Sequence, residues 1–148
     1  MKLSLLSLSL IAVLALTGCD RVDPNSPLGK RKAIYQAMLD TKEDLGGMLR
    51  GRIPFGGEGF SAGAAKLDEL SRQPWQHYPD VKEEQSDARD DVWQRQERFK
   101  EMARELEATT AALVSVTTSA PVTAQSVAPA FQRVEDACEA CHKEFRAY

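Results

Sequence analysis

The sequence predicts an all-α fold, a four-helix bundle of up-down-up-down topology. Two observations carry that expectation. Four segments place apolar residues three and four apart, the period of one helical face, and none gives a convincing strand. In the third segment Val92, Phe99, Leu106 and Leu113 recur every seven residues, the seam of a helix lying along its neighbours. The chain of 148 residues is long enough for one domain, and Gly and Pro fall between the periodic segments.

The first residues stand apart from that domain. Lys2 precedes an apolar run from Leu3 to Leu16, diluted only by serines. The run is shorter than the roughly 20 residues a membrane-spanning helix needs and suits a signal peptide. It ends in Leu16-Thr17-Gly18-Cys19, which resembles a bacterial lipobox. That resemblance implies removal of residues 1–18 and acylation of Cys19; a plain secretory signal cut after Gly18 is the alternative. Residues 19–26 then form a lipidated tether and residues 27–148 the bundle. From Asp20 to Ser26 the tether reaches at most about 25 Å, which keeps the domain near a membrane surface. With a formal net charge of −3 and no basic block, the chain has no electrostatic footing for nucleic acid.

The first helix is expected from Pro27 to about Arg50, with Ser26 as its cap and proline in its first turn. Ile34, Met38, Leu45 and Met48 mark its apolar stripe, and Gly46 and Gly47 offer room for close approach by another helix or a cofactor. A second helix from Gly57 or Gly59 to Arg72 buries Phe60, Ala64, Leu67 and Leu70. Between Pro74 and Pro79, Trp75, His77 and Tyr78 read as an aromatic plug for one end of the core. The third helix is expected from Ser86 to Thr117, with Asp87, Asp90 and Asp91 as favourable charges in its first turn. The fourth runs from about Ser126 almost to Tyr148, with Pro129 in its first turn.

On the core stripe of that last helix, Phe131, Val134, Cys138, Cys141 and Phe145 follow a three-four-three-four spacing. It contains Cys138-Glu139-Ala140-Cys141-His142, a CxxCH pattern, which is what covalent attachment of a c-type haem requires. Each thiol adds across one haem vinyl group, and the adjacent imidazole reaches the iron. At i, i+3 and i+4 the three side chains share one helical face. A structural zinc site is one rival, but it takes four ligands, and beyond the motif only Cys19 and His77 remain. A thioredoxin-like dithiol is the other, yet that pair belongs at the start of a helix after a strand. With one cysteine assigned to lipid and two to haem, none is left for a disulfide. Export agrees with this reading, because bacterial c-type haem is attached outside the cytoplasmic membrane.

A haem motif at the C-terminal end, followed by Lys143-Glu144-Phe145-Arg146, with Arg31 near the start of the first helix and Trp93 and Phe99 in the third, resembles the class II c-type cytochromes. These are the cytochrome c prime family and its low-spin relatives, and the likeness covers the whole bundle. The resemblance implies one covalent haem c per chain in the bundle core, between the first and last helices. His142 would be the proximal iron ligand, Arg31 would lie near a propionate, Arg146 on the proximal side, and Trp93 and Phe99 in the pocket wall. Low-spin members carry a ligating methionine four residues after the arginine, where this chain has Tyr35. Met38 lies one turn further along the same face, and His77 is a remote alternative ligand.

Two roles follow as expectations for a periplasmic, lipid-anchored cytochrome. One is a five-coordinate haem that binds small diatomic gases such as nitric oxide, with Tyr35 as a steric gate, and that also carries single electrons. The alternative is a dedicated six-coordinate electron carrier with Met38 as sixth ligand. A haem enzyme such as a peroxidase is a third class, for which neither a distal histidine nor an acid-base pair is evident. The chain is therefore not read as an enzyme. The expected partners are redox proteins of the periplasm or membrane, and a second copy of the chain, since relatives often pair through their first two helices.

Overall fold

The computed structural model describes residues 22–119 and 121–147, so residues 1–18, expected to be a signal peptide, and Cys19 lie outside the described residues. The Ser26 hydroxyl accepts a hydrogen bond from the Gly29 N–H at 3.0 Å, and Pro27 occupies a position where no N–H is needed. From there α1 spans Pro27–Leu49 and stops at Gly51, whose φ of +72° supplies the left-handed turn after the cap. Helix α2 covers Gly57–Ser71, and a 3₁₀ turn, Pro74–His77, follows it. A single turn, α3 (Asp91–Gln94), precedes α4 (Gln96–Thr117), and α5 (Ala124–Phe145) completes the fold.

The four long helices form the bundle, and the apolar stripes meet inside it. Helix α2 packs on both α1 and α4, and α4 packs on α5, whereas α1 and α5 approach each other little. That leaves a slot on one side of the bundle. At the end away from it, Phe60 is fully buried against Phe55 at 5.5 Å and Phe131 at 6.3 Å between ring centroids. A second cluster joins Val92, Phe99, Met102 and Phe145, with Trp75 and Tyr78 packed on it.

One polar pin crosses the core between α2 and α4. The Ser71 and Thr110 hydroxyls lie 3.0 Å apart, both buried, and Asp68 Oδ1 is 2.9 Å from Thr110 Oγ1. Thr110→Val keeps the side-chain shape and removes the hydroxyl. It is expected to cost about 1–3 kcal/mol in chemical denaturation, towards the lower end because Ser71 keeps its bond to the Asp68 carbonyl.

Three sequence expectations are corrected. Helix does not begin at Ser86: the chain breaks at Arg95 (φ −123°, ψ 48°), and residues 86–90 lie outside any helix. There Ala88 bridges Arg146, with Arg89 N–H donating to Phe145 O and Ala147 N–H to Asp87 O, each at 2.8 Å. Pairing with the C-terminal tail satisfies backbone groups that a helical turn would otherwise use. The last long helix starts earlier than Ser126, because Thr123 and Ser126 form a reciprocal capping box, so Pro129 falls in the second turn. The room at Gly46 and Gly47 is taken by neither a helix nor a cofactor. A Cβ there would meet the side chains of Arg50 and Ile53, which fold back from the next turn.

Candidate haem site

The slot between α1 and α5 is a cavity of about 770 Å³, within the roughly 300–1,000 Å³ typical of small-molecule and cofactor sites. Helix α5 contributes Val134, Cys138, Cys141 and His142 to its wall. Their common face follows from the three-four spacing on a helix whose other core residues, Phe131 and Phe145, are buried. Facing them, α1 contributes Arg31, Tyr35, Met38 and Lys42. The inner end is closed by Trp75, Tyr78 and Phe99, which form an edge-to-face group with centroids 5.7 Å (Trp75–Phe99) and 4.9 Å (Tyr78–Phe99) apart.

Charge is organised at one rim. The buried Arg31 guanidinium binds both oxygens of Glu83, at 2.7 and 2.8 Å, and donates to His77 O at 3.0 Å and Ser86 Oγ at 2.9 Å. It also stands 4.5 Å over the Tyr78 ring. This hydrogen bonding to Arg31 holds the Glu83 carboxyl below its usual value, against an opposing effect of burial. A depressed carboxylate stabilises the fold above its unfolded value of about 4.3, and that contribution is lost as pH falls through the lower folded value. Wild type is therefore expected to lose stability below about pH 4.3, and Glu83→Gln, already weakened at neutral pH, to converge with it there. Denaturation midpoints from pH 7 to pH 3 check this.

Burial pushes the Cys138 thiol up and, with Cys138 beside it, pushes Cys141 up to about 11. Both sulfurs are therefore neutral thiols, less reactive in thiol–disulfide exchange than thiolates would be. Among the described residues no three His, Cys, Asp or Glu side chains gather to hold a metal ion directly. Partial burial, then the Arg146 and Lys42 charges, hold the partly exposed His142 imidazole below its usual value. It is thus neutral, as an iron ligand must be. The Trp75 Nε1 is buried with no hydrogen-bond partner among the described residues. Two thiols and a neutral imidazole on one face, across a cavity walled by aromatic rings, form a donor set that fits haem c.

The sequence-predicted residues divide accordingly. Cys138, Cys141, His142, Arg31, Tyr35, Met38, Phe99 and Arg146 all line the cavity. Trp93 does not: its indole donates to Pro79 O at 2.7 Å and its ring packs behind Tyr78, centroids 6.1 Å apart. The side chain of His77 is likewise absent from the cavity wall, and only its carbonyl is used, by Arg31. Arg31, which the resemblance sets near a propionate, lines the cavity, and its two terminal nitrogens are engaged by Glu83, His77 and Ser86. Sequence reading missed Trp75 and Tyr78 as wall residues. Their i, i+3 spacing across a 3₁₀ turn, where such residues eclipse, was the available signal.

The comparisons agree with this geometry. The sequence model of the cytochrome c prime family matches residues 26–146. No curated protein matches the chain. Among solved structures, cytochrome c prime from Shewanella frigidimarina aligns with a TM-score of 0.78 and 22% identity, covering 87% of this chain and all of that one. Cytochrome c' from Rubrivivax gelatinosus aligns at 0.74 with 20% identity, covering 82% and 98%. A nitric oxide complex of a cytochrome c prime mutant from Alcaligenes xylosoxidans aligns at 0.76 with 21% identity, covering 87% and 99%. Likeness at this identity establishes the shared four-helix fold, and the family match spans nearly all of the bundle. The chain belongs to the cytochrome c prime family, whose cofactor is covalent haem c.

Proposed function

We propose that this cytochrome binds small diatomic gases, nitric oxide foremost, and passes single electrons, with Cys138 and Cys141 forming the thioethers and His142 the proximal iron ligand. The observation that carries the reading is the α1 wall of the cavity, where Tyr35 stands and, among the described residues, no histidine or cysteine does; its only lysines are Lys32 and Lys42. The iron, when held there, supplies redox chemistry and an open position for a ligand. The chain's part is to orient it with His142, and to narrow entry with the Tyr35 ring. A neutral phenol is a poor iron ligand, and burial, then Tyr78, raises Tyr35 well above the usual value of about 10. The solved nitric oxide and carbon monoxide complexes of mutants of the Alcaligenes xylosoxidans cytochrome c prime are consistent with such a role.

Stopped-flow mixing of the ferrous protein with nitric oxide tests the reading. Tyr35→Ala is expected to bind faster than wild type, because it removes the ring that narrows entry. A wild-type protein that takes up no nitric oxide sinks the proposal.

A second reading rests on Met38, which is buried, lines the same cavity and lies one helical turn from Tyr35. Ligation by its thioether would make the protein a dedicated electron carrier, and Met38→Leu would then abolish the low-spin iron–sulfur spectrum.

For location, we propose export to the periplasm and a lipid anchor at Cys19, supported by the lipobox-like Leu16-Thr17-Gly18-Cys19. Cys19→Ala is expected to leave a haem-competent domain, provided it is still exported, without an acyl chain. Native protein found wholly in the soluble fraction and unacylated contradicts the anchor.

A further inference from the structure

Tyr35 from α1 and Tyr78 from the segment after the 3₁₀ turn both line the cavity, with hydroxyl oxygens 3.0 Å apart. Each phenol carries one hydrogen, and the contact between them uses one. Neither hydroxyl makes another hydrogen bond to a described residue, so one hydrogen is left without an acceptor among the described residues.

The neighbours decide which phenol holds it. The Arg31 guanidinium lies 4.5 Å over the Tyr78 ring, and Glu83 clamps that guanidinium through two hydrogen bonds. A cation on the ring face withdraws electron density from the phenol oxygen, which makes Tyr78 the stronger acid of the two and hence the donor within the pair. The unshared hydrogen is then that of Tyr35. Burial raises both phenols above their usual value, Tyr35 further, so this donor persists across the physiological range. The Cys141 thiol contributes to both shifts, which puts the pair near the attachment motif.

We infer that Tyr35 is a hydrogen-bond donor to the ligand held in the haem cavity, favouring small ligands whose outer atom carries negative charge, with Tyr78, Arg31 and Glu83 as its positioning residues. This rests on the gas-binding reading above and changes its terms. A purely steric gate discriminates by size, whereas a donor also discriminates by charge. The ligand class widens from neutral diatomics to small anions and to diatomics that polarise on binding.

Infrared spectroscopy of the ferrous holoprotein with carbon monoxide as probe tests this. Tyr35→Phe keeps the ring and removes only the hydroxyl. A hydrogen bond to the outer atom lowers the C–O stretch, so the band is expected at higher wavenumber in Tyr35→Phe than in wild type. The wild-type band should also shift in D₂O, and the variant's should not. With azide as an anionic probe of the ferric protein, Tyr35→Phe is expected to weaken binding about tenfold or more, the worth of one hydrogen bond to a charged group. Identical bands in wild type and Tyr35→Phe overturn the inference while leaving gas binding intact. A low-frequency band that survives Tyr35→Phe and disappears in Trp75→Phe overturns it too, by assigning the donor to the indole. A ferrous protein that binds no carbon monoxide overturns the gas-binding reading, and the inference with it.

Discussion

Replacing Cys138 and Cys141 together by serine is expected to give a chain that carries no covalent haem, even in cells competent for c-type maturation. The two thiols lie at i and i+3 on the core face of α5, both on the cavity wall. Serine keeps their size but offers no sulfur to form a thioether bond. Each single substitution is expected to weaken attachment, because one thioether and His142 remain. Haem absorbance that stays with the polypeptide after acid–organic extraction measures this directly. Retention of a full complement by the double variant is incompatible with attachment at this motif.

The second large effect lies at the opposite end of the bundle. Phe60→Ala is expected to destabilise the fold by about 3–5 kcal/mol, the cost of emptying a buried aromatic site. Phe60 has no exposed surface and packs on Phe55 and Phe131, which belong to the core and not to the cavity wall. The variant that does fold is therefore expected to attach haem and to give the wild-type absorption spectrum. Urea denaturation of the holoprotein measures the loss. A loss below about 1 kcal/mol would show that this end of the bundle contributes little.

The contrast between the two ends explains what the sequence disclosed. Local signals were legible: Ser26 and Pro27 mark the start of α1, and the heptad of Phe99, Leu106 and Leu113 is buried as expected. The placement of Cys138, Cys141 and His142 on one face of α5, that of the cavity wall, followed from helical period alone. What escaped was non-local. Arg31 and Glu83 are 52 residues apart, and nothing in the periodicity of either segment pairs them. Residues 86–90, outside any helix, are held by the C-terminal tail through a single bridge at Ala88, which leaves no repeating pattern to read. Their acidic side chains suit a helix start, but tertiary hydrogen bonds outcompete that preference. Trp93 was assigned to the pocket because of the family resemblance, and the break at Arg95 turns its ring towards Pro79 and Tyr78. Thr123 escaped because its capping partner is Ser126 rather than the usual Glu or Gln.

His142 is proposed as the ligand of an iron that stays open to small molecules on the Tyr35 side of the cavity. Electron paramagnetic resonance of the ferric holoprotein, read with its absorption spectrum, tests it most directly. The account predicts a high-spin signal, with a spectrum that shifts when nitric oxide is added. A low-spin signal with an iron–sulfur absorption band, lost in Met38→Leu, would contradict it and make Met38 the sixth ligand.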